Sequence, residues 1–74
     1  PNPTDSKINI DLKQGVYIKD LYFKDLNGKR IEPKEYFRYE NTMEINVTNL
    51  KIGIYILHLE SGNEVNKVKV IIER

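Results

Sequence analysis

Over most of this chain apolar residues return at every second position, and no stretch repeats them at the spacing of a helix. That period is the mark of a half-buried strand. In KINIDL, Ile8, Ile10 and Leu12 take one face and Asn9 and Asp11 the other. Met43, Ile45 and Val47 alternate with Glu44, Asn46 and Thr48. Tyr55, Leu57 and Leu59 alternate with Ile54, Ile56 and His58, and Val68, Val70 and Ile72 with Lys67, Lys69, Ile71 and Glu73. Both faces of the Ile54–Leu59 segment carry apolar residues, which predicts a central strand covered on both sides.

The segments between are punctuated by turn formers. Val16 to Lys24 is rich in β-formers, but Val16 and Ile18 are out of phase with Leu21 and Phe23. A bulge near Lys19-Asp20 would reconcile them, because one extra residue flips the face. Asp25-Leu26-Asn27-Gly28-Lys29 predicts a type I′ hairpin turn, with positive φ at Asn and Gly. A short strand over 29–32 should return from it and stop at Pro33. Residues 34–42, KEYFRYENT, are open between a loop, one helical turn and a ragged edge strand. Ser61-Gly62-Asn63 reads as a turn joining the last two strands. Pro1 to Ser6, with two prolines, has the chemistry of a linker. The expectation is an all-β fold: one domain over 1–74, with 1–6 as linker, forming an antiparallel β-sandwich of about seven short strands.

Composition narrows the function classes. The 74 residues hold no cysteine, so neither a disulfide nor a thiolate metal site contributes. Twelve basic and eleven acidic side chains leave a net charge of +1, which argues against nucleic-acid binding by bulk electrostatics. No apolar run approaches the roughly 18 residues of a membrane span, so membrane insertion is not expected, and no signal peptide is visible. The chain begins without methionine, and we read it as part of a longer protein cut at a domain boundary.

Side chains able to do chemistry are sparse. His58, the one histidine, sits within a predicted strand and reads as a residue of its less buried face. A catalytic role would need a nucleophile and an orienting carboxylate. Asp5, Asp11, Asp20 and Asp25 form no calcium-loop pattern and read as solvated faces and turn formers. Asn46-Val47-Thr48 matches the glycosylation pattern, a match common by chance. Tyr17, Tyr22, Tyr36, Phe37, Tyr39 and Tyr55 are enough for a sugar-stacking platform. The plainer reading puts Phe23 and Tyr55 in the core and Tyr36, Phe37 and Tyr39 over an open end of the sandwich. No catalytic residue, cofactor or metal site is expected, and the chain is not read as an enzyme.

Three ordered segments resemble one known family. They are PNPT followed by KINIDL, then LYFKDLNGKRI, then INVTNLKIGIYILHLESGNEVNKVKVIIE. The second is similar to alternating apolar residues followed by Asp-x-x-Gly-Lys. The third is similar to a leucine, then Gly-x-Tyr-x-apolar-x-apolar, a turn and a lysine-bearing strand. Together they resemble the type IX secretion C-terminal sorting domain of type A. Pro1, Asn2 and Pro3 match the family's opening, Asp25, Gly28 and Lys29 its central turn, and Gly53 and Tyr55 its late strand. Lys67, Val68, Lys69, Val70, Ile71, Ile72 and Glu73 correspond to its terminal signal segment. KEYFRYENT falls outside the pattern.

The resemblance implies an immunoglobulin-like sandwich that serves as signal and substrate rather than catalyst. It implies a cargo domain upstream, export in a Bacteroidetes-type bacterium through the periplasm to the outer-membrane surface or beyond, and two partners. These are an outer-membrane translocon, which would read Lys67 to Glu73, and a sortase-like cysteine protease, which would cut before the domain. The domain itself is expected to be a monomer or a weak edge-strand dimer. Two other readings remain: a carbohydrate-binding or adhesion module built on Tyr36, Phe37 and Tyr39, and a structural spacer.

Overall fold

A computed structural model describes residues 6–73, so Pro1-Asn2-Pro3, most of the expected linker, and Arg74 lie outside the described residues. The elements are β1 (Lys7–Asp11), β2 (Asp20–Lys24), β3 (Arg30–Ile31), β4 (Glu35–Tyr39), β5 (Thr42–Asn46), β6 (Gly53–Ser61) and β7 (Glu64–Ile72). They form two antiparallel sheets, a three-stranded one in the order β1-β5-β4 and a four-stranded one in the order β3-β2-β6-β7. Each sheet draws strands from both halves of the chain. With β1 taken as strand B, the sheets read B-E-D and C′-C-F-G, the arrangement of an immunoglobulin-type sandwich.

The alternation in the sequence becomes the core. Leu21, Phe23, Tyr55, Leu57, Leu59, Val70 and Ile72 point inward from the larger sheet and meet Ile8, Met43, Ile45 and Val47 of the smaller. Ile10, Leu12, Ile18, Ile31 and Val68 pack around them, half-buried. Phe23 and Tyr55 meet edge to face with ring centroids 6.3 Å apart. Burial of this kind contributes about 1.5–3 kcal/mol for each large apolar side chain. No buried side-chain nitrogen or oxygen among the described residues lacks a hydrogen bond.

Four local expectations are corrected. The first is the bulge. β2 begins only at Asp20, opposite Glu60, and its ladder is regular; Lys19 adds one bond, its amide to the Glu60 carbonyl at 2.7 Å. Val16 to Lys19 is the connection that crosses from one sheet to the other. The change of phase marks where the strand starts.

The second is the turn at Gly28. Gly28 has φ +83°, but Asn27 does not enter the left-handed region, so the turn is not type I′. The Gly28 amide donates to the Asp25 carbonyl at 3.0 Å, and the Asp25 amide donates to the Lys29 carbonyl at 3.0 Å. Asp25 Oδ1 accepts from the amides of Asn27 and Lys29, both at 2.9 Å. An aspartate that binds the backbone two residues on and a glycine with positive φ make a type I turn with a following bulge.

The third concerns the aromatics of residues 34–42, a segment that takes the edge-strand alternative and forms the outer strand β4 and a tight turn. Glu40 at the turn has φ 54°, a conformation costing an ordinary residue about 1–2 kcal/mol. The Arg38 guanidinium steadies it, Nε donating to the Glu40 carbonyl at 2.7 Å. Tyr36 shares the inward-facing register with Ile45, whereas Phe37 and Tyr39 face outward opposite Glu44 and Thr42. The aromatics therefore do not cap an end of the sandwich, and Tyr36 lies on the opposite face from the other two.

The fourth is the covering of β6. It is central, between β2 and β7, but its outer face has no third layer. Ile54 stays 38% exposed there. His58 lies on that outer face yet is only 7% exposed, because the Tyr22 ring stacks on it.

Candidate recognition surface

β7 is built by its hairpin. Gly62 has φ +59° at the first position of the two-residue turn, where a type II′ turn needs it. The ladder then runs unbroken from Ser61 opposite Glu64 to Gly53 opposite Ile72. Among the described residues β7 pairs with β6 alone and ends the order of the larger sheet. One side of its backbone is therefore without a strand partner among the described residues. Val70 and Ile72 are fully buried and Val68 half-buried, while Lys67, Lys69 and Glu73 are exposed and Ile71 is half-buried.

On the outer face, the register sets β7 side chains beside those of β6 and β2. Ile56 lies between Lys24 and Lys69, His58 between Tyr22 and Lys67, and Ile54 beside Ile71. Tyr22 and His58 stack at 4.9 Å with ring planes 13° apart. The Arg30 guanidinium lies 4.0 Å over the other side of the Tyr22 ring, a cation–π contact. The Tyr22 hydroxyl donates to Glu60 Oε2 at 2.8 Å. That bond, with burial and the Glu60 charge, raises the Tyr22 pKa above its ordinary value. Arg30 pairs with Asp20 at 3.2 Å and with Glu32, and these bonds raise its pKa in turn.

Among the described residues the ion pairs are those two and Lys7–Glu44 at 3.9 Å. Lys24, Lys67 and Lys69 belong to none of them. The outer face of β7 and its neighbours is thus an apolar strip, Ile54, Ile56 and Ile71, flanked by three unpaired ammonium groups. Sequence reading singled out Lys67, Lys69 and Ile71. It missed Lys24 and Ile56, which only the cross-strand register brings beside them.

Asp25 and Gly28 shape the β2–β3 turn. Tyr55 donates its hydroxyl to the Lys51 carbonyl at 2.7 Å, tying the start of β6 to the corner before it, in the manner of an immunoglobulin tyrosine corner. A Cβ at Gly53 would lie 3.7 Å from the Tyr55 ring, an ordinary contact. Lys29, Asp25, Lys51 and Tyr55 line an open groove of about 550 Å³ between that turn and that corner. Asn46 of the glycosylation pattern spends its side-chain oxygen on Thr48, accepting from the amide at 3.0 Å and the hydroxyl at 2.7 Å. It too forms a turn.

Among the described residues, no group of three or more His, Asp or Glu side chains is placed to hold a metal ion. Nor, among the described residues, is any helix long and apolar enough to cross a membrane. A family model described as a secretion system C-terminal sorting domain matches residues 1–73. No curated protein and no solved structure matches the chain.

Proposed function

Given that the chain belongs to the family of secretion system C-terminal sorting domains, we propose that it is a folded type IX export signal read on its terminal strand. The observation that carries this reading is the position of β7 at the open edge of the larger sheet. An open edge accepts a partner strand by backbone hydrogen bonds, and alternate side chains give such a contact its selectivity. Lys67 and Lys69, joined by Lys24, attract acidic partner surfaces over a distance. The same lysines discourage uncontrolled edge-to-edge association before the partner is met.

In this reading an upstream cargo is carried to the cell surface or outside, and the machinery's translocon is the reader. A sortase-like cysteine protease then removes the domain by a cut on its upstream side. The segment 67–73 is recognised as a strand held by its hairpin, with Val68, Val70 and Ile72 keeping it in place from beneath.

The test is a fusion of residues 1–74 to a periplasmic reporter in a type IX-competent strain. Export of the reporter is expected, with loss of export in Lys67→Glu plus Lys69→Glu. A reporter that stays in the periplasm, while a known sorting domain exports it, overturns the proposal. A carbohydrate module would need Tyr36, Phe37 and Tyr39 on one platform, and β4 divides them between its two faces.

A further inference from the structure

The second open edge of interest is β4, the outer strand of the smaller sheet. It is EYFRY, with every residue exposed. It contains no proline and no lysine, two of the features that usually protect an edge. Tyr36, Phe37 and Tyr39 are 43%, 49% and 58% exposed, and Tyr17, which lines a pocket with Tyr36 and Arg38, is 74% exposed.

The backbone phase of this edge follows from the turn. β4 and β5 are joined by the two residues Glu40 and Asn41, so Tyr39 and Thr42 flank the turn. Residues flanking a two-residue hairpin turn exchange both hydrogen bonds, and pairs alternate from there. Phe37 with Glu44 is the next bonded pair. The amides and carbonyls of Tyr36 and Arg38 therefore point away from β5, toward open solvent.

We propose that β4 pairs antiparallel with β4 of a second copy of this chain, about a two-fold axis at Phe37. In that register Tyr36 lies opposite Arg38 of the second copy, and Arg38 opposite its Tyr36. These are the residues whose backbone groups are free to bond. On the inward-facing side the pairing puts a tyrosine ring beside a guanidinium twice. On the outward-facing side Phe37 meets Phe37, and Glu35 meets the Tyr39 hydroxyl. Arg38 is a charge pointing inward at a sheet edge, a feature that opposes addition of an arbitrary strand. Opposite Tyr36 it is satisfied, so it selects the self-complementary partner.

The same operation on β7, centred to overlap its whole free length, sets Lys67 against Lys69 of the second copy, which like charges oppose. Between the β4 and β7 edges, β4 suits a second copy and β7 does not. Pairing through β4 leaves both β7 edges uncovered, so a dimer would present the proposed export signal twice.

The chain has no cysteine, which permits a direct test by sedimentation and cross-linking. The wild-type chain should move from monomer toward dimer as its concentration rises into the millimolar range. Tyr36→Lys, which faces Arg38 of the second copy, should raise the dimer dissociation constant at least about tenfold. Adding Arg38→Glu should restore it. Phe37→Cys should oxidise readily to a disulfide dimer, since residues opposite each other at a non-bonded pair lie about 4.5 Å apart. Tyr39→Cys should not, because its two copies would be about 14 Å apart along the strand. A wild-type chain that stays monomeric, a dimer indifferent to Tyr36→Lys, no rescue by Arg38→Glu, or equal cross-linking at 37 and 39 would each overturn the pairing. Thermal melts of each variant confirm that the exposed substitutions leave the fold in place.

Discussion

The Tyr55 hydroxyl reaches back four residues to donate to the Lys51 carbonyl at 2.7 Å. The bond holds the corner between β5 and β6, and with it the angle at which the terminal hairpin leaves the core. It also gives a physical reason for the tyrosine of the Gly-x-Tyr pattern. Tyr55→Phe should lower the unfolding free energy by about 1 kcal/mol, the usual net worth of one such bond, measured by urea denaturation. Gly53→Ala should not destabilise, because the added Cβ makes an ordinary 3.7 Å contact and alanine loses less backbone entropy on folding.

The β2–β3 turn separates two effects. Gly28 needs its φ of +83° but has open space around it, so Gly28→Ala should cost about 1–2 kcal/mol through backbone strain alone. Asp25→Ala should cost about 1 kcal/mol by releasing two backbone amides, whereas Asp25→Asn keeps an acceptor oxygen and should recover most of it. Urea midpoints of the three variants, compared at constant slope, check the order.

Lys67 and Lys69 are exposed and, among the described residues, form no ion pair within 4.0 Å. Replacing both by alanine should therefore leave stability within about 0.5 kcal/mol, read from a thermal melt. Loss of export without loss of stability would then be a recognition defect. A large drop in melting temperature would show the lysines to be structural instead.

Tyr22 gives a prediction at high pH. Its hydrogen bond to Glu60 and its burial raise its pKa above the ordinary value of 10.0 in the folded chain. The folded form thus holds the phenol proton more tightly than the unfolded one. The stability this contributes is complete below about pH 10 and is lost as pH rises through the raised pKa. Tyr22→Phe should flatten that alkaline decline, and in an ultraviolet titration it should delete a component ionising above the ordinary tyrosine range.

Period-two alternation was enough to place β1, β5, β6 and β7, because each has one face on the core and one toward solvent. It failed at Val16 to Lys19, where β-forming residues serve a crossing between sheets and are held by packing at its rim. It was ambiguous for β4, whose residues are all exposed and so carry no burial pattern. Asn27-Gly28 pointed to a turn but to the wrong type, since the competing acceptor, the Asp25 side chain, acts across several residues. The lysines of β7 were visible in sequence; the open edge beside them was not. Edge position depends on which strands pair, and neither the pairing of β2 with β6 nor that of β1 with β5 is local.

That pairing has a consequence for timing. Ile8 is matched with Ile45, and Tyr22 with His58, so neither sheet can close until distant parts of the chain have met. Closing such long loops carries its entropic cost before any contact rewards it. A chain that has formed only its first half owns no finished sheet, and one deprived of β1 or β2 leaves β5 with β4 alone or β6 with β7 alone. The interleaved topology works as a coincidence detector: the terminal hairpin takes its place in the larger sheet only when both halves of the chain are present together.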